Sequence, residues 1–194
     1  VQAGEVDALI PERVNKEVLR GLMEKKPSAM LRTLASCGAW ARIAPEIPCS
    51  SSVMIALDLA AANGKPLPVR FAVLLAAAGQ QAASASKRLR ASSDLARIAR
   101  LAGEFLPLPE ASPTEEAITL LEKTDCFRRP KQFEELLEAS EILSGAPASF
   151  WRRAAEAASG INPRKAIAMA ANPKAIPAAI RAARIKAIEE QFKA

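Results

Sequence analysis

Residues 11–24 read PERVNKEVLRGLME. Proline at the head suits the first turn of a helix, where its missing N–H costs nothing. Behind it Val14, Val18, Leu19, Leu22 and Met23 fall on one side, and Lys16, Glu17, Arg20 and Glu24 on the other. That is an amphipathic helix. A second helix starts near Pro27-Ser28 and stops at Gly38, a residue suited to a left-handed cap. Gly64 and Gly79 close two further apolar helices, roughly 52–63 and 68–78. The stretch QQAASASKRLRASS (80–93) is small, polar and basic and reads as a short helix or a loop. Ser93 caps a helix running to about Leu106, and PLPEASP (107–113) breaks the chain. Ser112, Pro113 and Glu115 spell a capping box. From Pro130 a helix turns Phe133, Leu136 and Leu137 inward and Glu134, Glu135, Glu138 and Glu141 outward. Asn162-Pro163 and Asn172-Pro173 each offer an N-cap followed by proline. The last helix, 173–193, has no clean polar stripe, and periodicity does not orient it. The fold class is all-α, with nine or ten helices, no fixed-period repeat and no hairpin signature.

Composition agrees. Half of the 194 residues are hydrophobic and only 4% aromatic, a mix led by alanine and leucine that favours helices over sheets. Histidine and tyrosine are absent. No Ser-His-Asp or Cys-His arrangement and no histidine-based metal site can be drawn. Cys37, Cys49 and Cys126 share no ligand spacing and read as reduced thiols filling a core. No apolar run spans a bilayer free of charge and no leader is evident, so the expected location is cytoplasmic. The net charge of +6 is uneven: residues 111–150 hold four basic and eight acidic side chains, and residues 151–194 hold nine and three. A basic C-terminal segment suits a polyanion. Met23, Met30, Met54 and Met169 read as core fillers, as does Trp40. Trp151, beside Arg152 and Arg153, fits either a core position or base stacking.

Residues 4–47, GEVDALIPERVNKEVLRGLMEKKPSAMLRTLASCGAWARIAPEI, closely resemble the neck of bacterial CCA-adding enzymes, a class that includes bacterial poly(A) polymerases. The resemblance rests on Gly4, Glu5, Leu9, Glu12, Arg13, Val14, Glu17, Pro27, Cys37, Gly38, Ala39, Pro45 and Glu46. It resumes in SDLARIARLAGEF (93–105), in the Asp-x-x-Arg-(Arg/Lys)-Pro turn of DCFRRPKQFEELLEASE (125–141), and in the layout of residues 164–191. It is weakest over 48–92.

The resemblance implies an elongated array of small helical subdomains. These are neck helices at 1–47, a degenerate phosphohydrolase-like region at 48–110, body helices at 111–145 and a basic tail at 146–194. The family's head domain, with its Gly-Ser turn and Asp-x-Asp pair for two metal ions, has no counterpart here. No Gly-Ser or Asp-x-Asp occurs, and Asp7, Asp58, Asp94 and Asp125 stand apart. Mg²⁺ and CTP or ATP would belong to that head. No cofactor, metal site or catalytic residue is expected in this chain, and by itself it should transfer no nucleotide. Some relatives carry a His-Asp phosphohydrolase; its His-Asp pair falls on Ala76 and Ala77, and its outer histidines near Ser52 and Leu106. No phosphohydrolase activity is expected.

Glu5, Glu12, Arg13 and Glu17 form the neck motif, which in the family braces the head; Arg13 and Glu17, four apart, could equally be an ordinary surface pair. The implied RNA-binding residues are Arg128, Arg129 and Lys131 around Pro130, and Arg152, Arg153, Arg164, Lys165, Lys174, Arg181, Arg184 and Lys186. The implied partner is tRNA, held from acceptor stem to elbow, with the chain's own head domain as a second. A poly(A) polymerase fragment binding RNA less specifically, or a catalytically dead protein-interaction scaffold, would use the same helices.

Overall fold

The computed structural model describes residues 11–168 and 172–193. Every regular element among them is helical. In chain order these are α1 (Pro11–Met23), α2 (Pro27–Ser36), α3 (Trp40–Ile43), α4 (Ser51–Ala62), α5 (Leu67–Ala76), α6 (Ala82–Arg88), α7 (Ser93–Phe105), α8 (Thr114–Lys123), α9 (Pro130–Ser144), α10 (Ser149–Ser159), α11 (Pro163–Ala168) and α12 (Ile176–Phe192). Short 3-10 turns at Gly79–Gln81 and Pro173–Ala175 lead into α6 and α12. The excess over nine or ten comes from pieces such as the four-residue α3, too short to carry a periodic signal. Glu5 and Met169 lie outside the described residues.

The helices form two compact units. The first comprises residues 1–108 and 135–146, and its centre is α5. Residues 69–75 are all buried, and α1, α4, α6 and α7 pack around them. A helix apolar on every side belongs in the middle of a bundle. The one charge in that run, Arg70, is 6% exposed. Its Nε donates to Lys65 O at 2.6 Å, and its Nη1 to Leu22 O at 2.8 Å and Glu24 O at 3.0 Å. Leu22 and Glu24 end α1, where carbonyls lack intrahelical partners and the helix dipole favours a cation. Asp58 does the converse for α2. Lys26 at the N-cap makes no side-chain hydrogen bond, and Asp58 from α4 accepts from Ser28 N at 3.0 Å and Ser28 Oγ at 2.7 Å.

Gly38, Gly64 and Gly79 take left-handed φ values of 73°, 63° and 51°, as their helix-ending places require. Gly103 has a different reason: a Cβ there would overlap Gly79 O and Ala82, so its hydrogen lets α7 lie against the turn before α6. Trp40 is core, with Nε1 donating to Ile47 O at 2.9 Å.

The second unit comprises residues 109–134 and 147–194. Here α12 packs against α8, α10 and α11. Trp151 is 1% exposed and its Nε1 donates to Pro109 O at 2.7 Å, which settles it as core rather than a base-stacking surface. Asn172 caps the turn before α12 by accepting from Ala175 N, and Asn162 accepts from Arg164 N.

Four expectations are corrected. The capping box at Ser112 does not form: Pro113 is the N-cap of α8, and Ser112 Oγ bonds the exposed Glu116 carboxylate instead. Ser92, not Ser93, precedes the first turn of α7, and makes no capping bond. Met23 is 46% exposed, at the last turn of α1 where the chain leaves the core. Cys37 is exposed beyond the end of α2, so of the cysteines only Cys126 is buried.

Replacing Arg70 by methionine strands the α1 carbonyls in a buried site. We expect a loss of about 2–4 kcal/mol in urea unfolding. A change under about 0.5 kcal/mol, the range of an inconsequential surface substitution, would refute this account of α1.

Candidate nucleic-acid interface

The second unit holds every residue that the resemblance implies for RNA binding. The turn between α8 and α9, Asp125-Cys-Phe-Arg-Arg-Pro130, is built by hydrogen bonds that close the end of α8: Asp125 N to Glu122 O and Cys126 N to Leu121 O. Asp125 sits there with φ 58°, a left-handed conformation that aspartate tolerates better than most residues. Its carbonyl then accepts from Arg128 N and Arg129 N, starting the bend into α9. Its carboxylate lies 4.0 Å from Arg128 Nε and 3.6 Å from Arg129 Nε. An internal anion thus meets the two arginines, which at the head of a helix would be unfavourable alone. Arg128 remains 82% exposed, and Lys131 is exposed.

The other arginines divide sharply. Arg181 on α12 bonds Glu122, Glu115 at 3.2 Å and Thr119 Oγ1 at 3.0 Å, all on α8. One turn on, the Arg184 guanidinium lies 3.6 Å over the Phe127 ring. Arg152 on α10 donates through Nε and Nη2 to Glu134 Oε1, at 2.9 and 2.7 Å. Arg153 stacks 4.8 Å over Phe192 and donates to Gln191 O. Phe192 in turn stacks on Phe150, which meets Trp151 edge to face. These four arginines fasten α8, α9, α10 and α12 to one another. Arg164, Lys174 and Lys186 are exposed, Lys186 with a loose neighbour in Glu190 at 3.8 Å. The side chain of Lys165 lies outside the described set.

In the first unit, Glu12 reaches Arg90 at 4.0 Å, while Arg13 and Glu17 make no pair with each other among the described residues. They instead rim a groove of about 780 Å³ floored by Val18, Met30, Leu34 and Ile43. Ala76 and Ala77, where the resemblance would put a metal pair, close α5. Among the described residues no group of three His, Cys, Asp or Glu side chains is placed to hold a metal, and no helix is long and apolar enough to cross a membrane.

Burial pushes the Cys126 thiol up to about 12; the nearby Arg184 opposes this, while Asp125 and Glu122 reinforce it. Burial also raises Cys49.

Comparison with known proteins gives a consistent result. Over 191 residues the chain is 41% identical to the CCA-adding enzyme of Bordetella pertussis, an alignment covering 97% of this chain and 52% of that protein. The chain belongs to the CCA-adding enzyme family. It is 34% identical over 198 residues to a CCA-adding enzyme of Pseudomonas putida, with 96% and 54% covered. It is 38% identical over 181 residues to the multifunctional CCA protein of Burkholderia mallei, with 73% and 44% covered. The chain therefore spans about half the length of the curated relatives it matches. No family model and no solved structure matches it.

What sequence reasoning missed were the acidic partners Glu115, Glu122 and Glu134 and the aromatic partners Phe127 and Phe192. One signal pointed to the former: an acidic segment at 111–150 immediately precedes a basic one at 151–194.

Three measurements check this geometry. A double-mutant cycle between Arg181→Ala and Glu122→Ala should give a coupling of about 1 kcal/mol in unfolding free energy, and zero coupling would mean that this pair does not help to hold α12. A colourless disulfide reagent that releases a coloured thiolate should label Cys37 readily at pH 8 and leave Cys126 untouched until the chain unfolds. The raised Cys126 thiol also makes stability fall as pH rises from 9 towards about 12, because only the unfolded chain releases that proton first. Fast labelling of Cys126 in the native chain would contradict its burial.

Proposed function

We propose that this chain is the RNA-holding region of a CCA-adding enzyme, gripping tRNA from acceptor stem to elbow so that a nucleotidyl-transfer head can extend its 3′ end. The observation that carries the reading is the 41% identity over nearly the whole chain to a protein of that name. Supporting it is the exposed basic set Arg128, Arg129, Lys131, Arg164, Lys174 and Lys186. Cations of this kind recognise A-form RNA through phosphates and ribose hydroxyls more than through bases. The arginines already committed to Glu115, Glu122 and Glu134 act in this reading by fixing the helices that present the others.

Nucleotide addition needs two metal ions held by carboxylates for in-line displacement. The sequence carries no Asp-x-Asp pair, so the chemistry is assigned to the head, and the chain alone with tRNA, CTP, ATP and Mg²⁺ is expected to give no labelled product.

Titrating labelled tRNA with the chain tests the grip. With about six phosphates neutralised, affinity should drop roughly a thousandfold between about 50 and 200 mM salt. The pair Arg128→Ala and Lys131→Ala should flatten the salt slope by about two. No binding at low salt would overturn the reading in favour of a protein-interaction scaffold. Equal affinity for unstructured RNA would replace it with the poly(A) polymerase alternative.

A further inference from the structure

The basic run Lys87-Arg-Leu-Arg90 belongs to the first unit. It ends α6, and its cations divide as the C-terminal ones do. Arg88 turns to Glu46, with Nε 2.9 Å from the carboxylate. Lys87 and Arg90 turn instead towards a concavity of about 390 Å³ between α6 and α7, whose far wall carries Arg100. Ala83, Ala91 and Ala96 keep its floor low, and among the described residues no carboxylate lines it.

Three cations facing one hollow repel one another, and stability alone does not explain their placement. Glu12 is 4.0 Å from Arg90 and Glu104 is 2.9 Å from Arg100, but the four side chains are between 36% and 68% exposed. Such pairs are weak and give way readily to a stronger anion.

Backbone conformation adds an independent observation. Arg90 has φ 51°, after α6 closes with Arg90 N on Lys87 O and Ala91 N on Ser86 O. At comparable left-handed positions the chain uses glycine, at Gly38, Gly64, Gly79 and Gly145, or the more tolerant aspartate, at Asp125. Glycine takes the conformation freely and arginine under strain. The strained residue here carries a half-exposed guanidinium at the mouth of the hollow.

We propose that Lys87, Arg90 and Arg100 form a phosphate-binding site on the first unit. The ligand class is a phosphoryl group, from a free phosphate compound or from an RNA backbone. Guanidinium forks give two parallel hydrogen bonds to phosphate oxygens, and a lysine ammonium adds a point charge. The backbone source extends the tRNA reading above and rests on it; the free source does not.

The test uses the full chain and a Lys87→Gln, Arg90→Gly variant. Glycine at position 90 relieves the strain, so the variant should melt no lower than the parent. Amide resonances are followed by NMR during separate titrations with inorganic pyrophosphate and with tRNA. The expected result is that amides of residues 83–100 shift or broaden in the parent with at least one ligand and lose that response in the variant. A response to tRNA alone identifies the RNA backbone as the source, with tRNA affinity about tenfold lower in the variant. A response to pyrophosphate alone identifies a free phosphate compound. The proposal is overturned if these amides respond to neither ligand, or respond equally in the variant. The tRNA reading fails separately, when tRNA perturbs no resonance anywhere in the chain.

Discussion

A buried helix end must find partners for backbone groups that its own helix leaves unpaired, and this chain meets that constraint with charged side chains from other helices. Arg70, sunk in α5, collects the last carbonyls of α1, while Asp58 on α4 receives the first N–H of α2. Either group alone and unpaired in a core would be strongly unfavourable. Each is tolerated because its charge faces the helix end that attracts it. The packing of α1, α2 and α4 around α5 is thereby fixed in register as well as in contact, since a hydrogen bond specifies a place and an apolar face only a side.

The same economy governs the second unit, where it takes arginines away from solvent. α12 shows no apolar stripe, and only Ile188 among its described residues is buried. What orients it is a row of specific contacts: Arg181 to Glu115 and Glu122, Arg184 over Phe127, and Phe192 between Phe150 and Arg153. The Phe127 and Arg184 contact ties α12 to the very turn that carries Arg128 and Arg129. A charge count over 151–194 thus overstates the positive surface, because part of it is spent against the acidic segment 111–150. Of the cations at the surface, Arg128, Arg129, Lys131 and Lys186 sit on a turn or helix that such a contact also holds.

This explains what could be read from the residues alone. The helices α1, α2, α4, α5, α7 and α9 were legible because each writes a long apolar face or ends at a glycine, and glycine's left-handed freedom is a local property. α3 and α6 were not, being too short for a face to accumulate. The left-handed residues Arg90 and Asp125 were hidden because, without a glycine, the sequence does not mark where a helix-closing turn takes a positive φ. The capping box at Ser112 failed because a competing partner, Glu116, lay one turn away. The basic residues were visible as a list, but pairing is a tertiary fact, and sequence offered only the opposed charges of neighbouring segments as a hint. Trp151 was undecided for the same reason, its hydrogen bond to Pro109 O spanning 42 positions.

The middle of the first unit owes its cohesion to packing and hydrogen bonding. Where the family resemblance would put a metal-binding His-Asp pair, α5 ends in Ala76 and Ala77, and the segment around them still packs. Its cohesion comes from features no metal would supply: the all-round apolar surface of α5, the close approach at Gly103, and the anchoring of Asn15 Nδ2 to Leu89 O at 2.7 Å. A metal site depends on a few polar groups converging, so it disappears with one or two substitutions. A core depends on many apolar contacts of modest individual worth, and survives them. A scaffold held in that second way keeps its outer surface free to vary, and basic residues on α6 and α7 can then alter the surface potential without disturbing what lies beneath.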